Sequence, residues 1–311
     1  MGQKENILVQ ISLLFYEEGL TQTEIAKKLN ISRPTVAARL QEAKDKGIVK
    51  ISIQHEKADI IKQQNKIAEK YNLKTVLIAS SDNQSSEKTK SQVGTLCSWF
   101  MEDHIININS LGIGWGTTIY EFVQAVNYQD KPDLSIVPLI GGVGNTDVQY
   151  HSNHLAFILA QKYNCKVNYF YAPAIAENIQ MKNSFEQSEI VKETINKGKN
   201  VDMAILGVGN PIESSTYNQL GYINKDEIQE IVISKVVGDI GADFFDENGK
   251  SVNTSVSERM IGLSLDDISE IKELVILASG KEKVNSIKAL LNKDIIDHLI
   301  IDSDIANELY F

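Results

Sequence analysis

Apolar residues at Ile7, Leu8, Ile11, Leu14 and Phe15 recur at the i, i+1, i+4, i+7, i+8 spacing of one helical stripe. Further on, "TQTEIAKKL" (21–29) opens with Thr21-x-x-Glu24. This is a capping box, in which hydroxyl and carboxylate satisfy two N–H groups that a helix start leaves free. Asn30-Ile31 predicts a turn, and Ser32 predicts the cap of a third helix with Pro34 in its first turn. Val36, Leu40 and Ala43 form that helix's inward stripe, and Gly47 ends it. "IVKISI" (48–53) then alternates apolar and polar residues, as an edge strand or wing does. Residues 56–71 carry Ile60, Ile67 and Tyr71 on one side of a predicted linker helix, docked on the larger C-terminal part or forming a dimer seam.

From Leu73 onward the period changes. Seven nearly continuous apolar runs predict strands: "TVLIAS" (75–80), "SLGIGW" (110–115), "LSIVPLIGG" (134–142), "VNYFYAP" (167–173), "MAILGVG" (203–209), "LVILAS" (274–279) and "HLIIDS" (298–303). Helical patterns separate them, so the expectation is an α/β domain built on a parallel sheet covered on both faces. The predicted organisation is a winged helix-turn-helix at 1–55, a linker helix at 56–72 and an α/β domain at 73–311.

Composition changes this picture little, charge rather more. Among 311 residues, 42% hydrophobic content is enough to bury a real core. No run reaches the roughly 18 apolar residues a membrane span needs, and "MGQKENILVQ" lacks a signal peptide's pattern. Cys97 and Cys165 cannot build a disulfide framework, so a soluble, cytoplasmic chain is expected. Residues 1–60 hold nine Lys/Arg against eight Asp/Glu, and the remainder 22 against 33. A neutral head on an acidic body is compatible with DNA when its cations share a face, and it favours action as a dimer or larger homo-oligomer.

Two short helices joined by a tight turn, the second capped and amphipathic, form the helix-turn-helix pattern. Its second helix would lie in the major groove, with Arg33, Thr35 and Arg39 near base edges. Arg39 sits on the flank, where a phosphate is the alternative, and Lys46 and Lys50 are expected phosphate contacts. In the larger part four runs end in glycine: Gly112/Gly114/Gly116, Gly141/Gly142, Gly207/Gly209 and Gly280. Ligands of open α/β sheets bind at that carboxyl edge, where glycines admit an anion to backbone N–H groups at a helix start. "GIGWGT" lacks dinucleotide spacing and no P-loop occurs. His151-x-x-His154 lacks a third ligand, so no metal and no cofactor is expected.

"ISRPTVAARLQEAKDKGIVKI", "GIGWGTTIY", "GDIGADFFDENG" and "LASGKEKVNSIKALL" resemble the SorC-type sugar-responsive bacterial transcription regulators, nearly end to end. The resemblance implies a C-terminal domain folded like sugar-phosphate isomerases, a phosphorylated sugar or polyol effector, and dimers or tetramers on operator DNA. It also implies effector contacts at Gly114, Gly116, Thr117, Thr118, Gly142, Asp239, Asp246 and Lys283. Where one branch of the family has a lysine ahead of the paired glycines, this chain has Ile140, so no Schiff base forms there. The family's glycine pair before the later lysine is Ser279-Gly280. The competing class is a sugar-phosphate isomerase or deaminase with Asp239, Asp246 and Lys283 as acid and base. An isomerase has no use for a capped recognition helix, which decides for a regulator.

Overall fold

A computed structural model describes residues 3–49, 58–81, 83–142 and 146–311. The chain divides into compact units at 1–58 and 59–311. In the first, α1 (Gln3–Tyr16), α2 (Gln22–Leu29) and α3 (Arg33–Asp45) enclose Ile11, Leu14, Ile25, Val36 and Leu40. The caps set the geometry. Glu24 N–H donates to Thr21 Oγ1 at 3.3 Å while Thr21 N–H donates to Glu24 Oε2 at 2.8 Å. Asn30 ends α2 in the left-handed region, φ 51°, a conformation its short polar side chain tolerates. Ser32 caps α3 by accepting from the Thr35 N–H, with Pro34 in the first turn. Of the predicted wing, Ile48 and Val49 send both N–H groups back to the Ala43 carbonyl; its residues 50–53 lie outside those described.

The second unit opens with α4 (Ala58–Lys70), whose Ile67 enters the core of this unit. Gln63 bonds Asn307 and Lys70 bonds the Leu309 carbonyl, which fastens the helix to the chain's end. Seven strands form the main sheet: β1 (Thr75–Ala79), β2 (Ser110–Ile113), β3 (Ser135–Pro138), β4 (Lys166–Val167), β5 (Met203–Gly207), and the later β8 (Leu274–Ala278) and β9 (His298–Asp302). All are parallel, in the order β1-β9-β8-β5-β2-β3-β4. The inner strands β8 and β9 are buried along their whole length, which explains the apolar run of β8 and the apolar centre of β9, Leu299–Ile301. One apolar layer, around Leu139, Leu206, Ile276 and Leu290, covers one face. Another covers the other face, around Phe122, Leu155, Ile205 and Phe100 of α5 (Ser86–His104). No helix among the described residues is long and apolar enough to cross a membrane.

Two elements differ from expectation. "VNYFYAP" contributes only Val167 to the sheet. Past it, Phe170 and Ala172 turn away to pack with Val191 and Ile261 in a separate side cluster. The second is an unpredicted antiparallel hairpin of β6 (Gly238–Ile240) and β7 (Asp243–Phe245), inserted between β5 and β8. Its three-residue strands are too short to show a period of two.

Candidate functional site

The glycine turns do converge on the carboxyl edge, because β8, β5, β2 and β3 are consecutive neighbours. After β2 the chain passes through Trp115 and Gly116 into α6 (Thr117–Ala125). Gly116 takes φ 101°, open only to glycine, and no side chain caps α6 there. The first N–H groups of α6 and the positive end of its dipole therefore face the edge unopposed.

Next to this turn the β5 end and the hairpin exchange backbone hydrogen bonds, Gly209 N–H to the Asp239 carbonyl at 3.0 Å and the reverse at 3.1 Å. A Cβ on Gly209 would lie 2.3 Å from Asp239 Oδ1, so the carboxylate has its place only because residue 209 is glycine. Asp239 is 5% exposed, and its Oδ1 has no hydrogen-bond partner among the described residues. Burial pushes its carboxyl up to about 6, against the pull of the Ser215 hydroxyl and the Lys283 charge.

Lys283 enters from β8. Buried Asp302 accepts from Ser279 Oγ at 2.9 Å and Gly280 N–H at 2.7 Å, fixing the turn that leads into Lys281–Lys283. Lys283 is 6% exposed and forms no ion pair among the described residues. Burial, then the nearby charge of Lys90, lowers its ammonium below the usual lysine range. Gly116, Thr117, Thr118, Asp239 and Lys283 thus line one small cavity. An uncapped helix start and a buried ammonium attract an anion; an unpartnered carboxylate oxygen accepts a hydroxyl.

The other expected effector residues lie apart from that cavity's lining. Gly114 donates to the Ile205 carbonyl and extends the β2–β5 ladder. Gly142 donates to the Ala172 carbonyl, away from the lining. Asp246 closes the turn after β7, accepting from Asn248 and Lys250 N–H groups, which hold its carboxyl below the usual range. Sequence reasoning missed Trp115, Ser214 and Thr216 as lining residues; Gly207 and Gly209 were visible only as run-ending glycines.

On α3, Arg33 is exposed in the first turn. Thr35 is half-buried, its hydroxyl 2.7 Å from Ser32 Oγ and shared with the cap. Arg39 and Lys46 both grip Glu42, at 2.6 and 2.8 Å. Lys46 first and Arg39 second pull that carboxyl down to about 2. Lys50 lies outside the described residues.

Comparison with known proteins assigns both units. The family described as "Winged helix-turn-helix DNA-binding" matches residues 11–50, and the one described as "Putative sugar-binding domain" matches 55–310. The full-length sorbitol operon regulator SorC from Klebsiella pneumoniae superposes with a TM-score of 0.79 at 25% identity, covering 100% of both chains. This chain belongs to the SorC-type family of sugar-responsive transcriptional regulators. It is 28% identical over 307 residues to the deoxyribonucleoside regulator of Bacillus subtilis (strain 168), 99% of this chain and 98% of that one. A DeoR family transcriptional regulator from Listeria monocytogenes shares 33% identity at a TM-score of 0.74, over 80% of this chain and 98% of that one. The SorC-type chain is a DNA-binding regulator with a small-molecule domain, not an enzyme.

Proposed function

We propose that this SorC-type regulator controls a sugar or polyol utilisation operon, working in the cytoplasm as a homo-oligomer switched by reversible binding of a phosphorylated sugar or polyol. The observation that carries the reading is the pairing of unlike partners in one cavity. The uncapped start of α6 and the buried ammonium of Lys283 call for an anion, while Asp239 Oδ1 calls for a hydroxyl donor. Phosphate belongs against Gly116, Thr117, Thr118 and Lys283, and the sugar hydroxyls against Asp239, which would repel phosphate. With Ile140 ahead of the paired glycines, the carbonyl end meets no amine at that position. Gly114, Gly142 and Asp246 act in this reading by shaping the turns around the ligand.

At the operator, Arg33 reads a base edge from the start of α3, Thr35 stands beside it, and Arg39, Lys46 and Lys50 contact backbone phosphates. A nearly neutral reader needs two copies to gain useful affinity, so half-sites spaced by whole helical turns are expected. The test is selection of a binding sequence from random DNA, followed by anisotropy titrations with and without sugar phosphates. A palindromic operator whose affinity changes with a phosphorylated polyol supports the reading. Sequence-independent binding that no sugar phosphate alters refutes it.

A further inference from the structure

The space left at the site is too small for the molecule that the site is shaped to attract. Only about 30 Å³ lies within reach of a water molecule. That is room for roughly two waters, whereas small-molecule pockets run to roughly 300–1,000 Å³. The stretch after Gly209 fills much of the remainder. Thr216 Oγ1 stands over the start of α6, where a Cβ on Gly116 would come within 2.6 Å of it. Ser214 Oγ is buried beside the same cavity with no partner among the described residues.

This stretch is held at its two ends. At one end Asn210 Nδ2 donates to the Glu282 carbonyl at 3.0 Å. At the other, fully buried Tyr217 donates its hydroxyl to the Gly241 carbonyl at 2.9 Å and packs 4.7 Å from Trp115. Between these anchors the backbone bonds are local, and one side chain reaches out: the hydroxyl of fully buried Ser215 bonds Asp239. Asn210 Oδ1 accepts from Ile212 and Glu213 N–H groups, the Asn210 carbonyl accepts from Ser214 N–H, and Asn218 Nδ2 donates to the Ile212 carbonyl. Ile212 and Glu213 are exposed. Local backbone bonds, an exposed crest and a single hydroxyl tie to Asp239 make a piece that can lift without opening the sheet.

We propose that residues 211–216 form a strap that lifts between its anchors at Asn210 and Tyr217 to admit the effector, then closes on it. Ser214 and Thr216 become effector contacts, each hydroxyl giving or accepting one hydrogen bond. The proposal rests on the reading of this cavity as the effector site and names the part that senses occupancy.

The first test needs no ligand: hydrogen exchange of the full chain. The hydrogen-bonded amides of Ile212, Glu213 and Ser214 should exchange at least about a hundredfold faster than that of Asp239, which is tied to the β5 end. Equal protection overturns the strap. The second test uses ribose 5-phosphate as probe, or inorganic phosphate where that sugar does not bind. Thr216→Val and Ser214→Ala should each speed dissociation about tenfold, the worth of one hydrogen bond, with association unchanged. Binding with the parent dissociation rate in both variants overturns the closing contacts and leaves the effector reading standing. If neither probe binds the parent protein, the effector reading fails, and the exchange rates alone decide the strap.

Discussion

Replacing Asp239 with Asn keeps a buried side chain of the same shape and removes its ionisation. The consequence for stability depends on pH. The carboxyl, ordinarily near 3.8, is pushed up to about 6, so the folded chain holds this proton more tightly than the unfolded one. That contribution is complete below about pH 4 and is lost as the pH climbs through 6. At about 1.4 kcal/mol per decade, the roughly two decades between the two values remove about 3 kcal/mol from the parent protein by pH 7. Asn has no proton to lose. The Asp239→Asn protein should therefore gain on the parent by about 3 kcal/mol between pH 4 and pH 7 and stay level above that. Any constant offset from packing the amide cancels, because only the slope of the difference is read. Urea denaturation of both proteins across this range, without effector, is the assay. A difference that does not change with pH refutes the claim that an ionised Asp239 is held in a dry place that opposes its charge.

The remaining predictions concern charge and space. Lys283→Met keeps the stem and removes the ammonium; calorimetry should show effector affinity falling by about 1.5–3 kcal/mol, with effector-free DNA binding near that of the parent. Gly209→Ala sets a Cβ 2.3 Å from Asp239 Oδ1. Thermal unfolding should show a loss of about 1–3 kcal/mol, and an unchanged midpoint would contradict the geometry. Glu42→Gln releases Arg39 and Lys46 from a shared carboxylate, so non-specific DNA affinity should rise and its salt dependence steepen. Arg33→Ala should weaken the selected operator by about 1–3 kcal/mol, and parent-like binding in a mobility-shift titration would misplace the reading helix.

The DNA-reading unit was legible because its signals are local. Thr21 with Glu24, and Ser32 with Pro34, each fix a helix start within four residues, and the structure has both starts there. The parallel sheet was legible because inner strands buried on both faces carry apolar runs, all of β8 and Leu299–Ile301 of β9. "VNYFYAP" misled on the same ground, since Phe170 and Ala172 are buried in a side cluster and not on the sheet. Apolar character reports burial, not the element that provides it.

At the site, glycine turns pointed to the right edge but not to every residue on it. Gly114 and Gly142 are bound into backbone pairings. Asp246 shows that a carboxylate closing a turn looks, in sequence, like one awaiting a ligand. Ser214 and Thr216 had no signal at all, because a stretch between two anchors has neither period nor cap pattern to betray where its hydroxyls point.

The most direct test of the account is calorimetric titration with matched pairs of sugars and polyols, each with and without its phosphate, against the parent protein and Lys283→Met. The account predicts that binding within the panel is confined to phosphorylated members, that an open-chain polyol phosphate is tolerated, and that the Lys283→Met protein binds the same compound at least about tenfold more weakly. Equal binding of the phosphate-free partner, or an unchanged affinity in Lys283→Met, would contradict it.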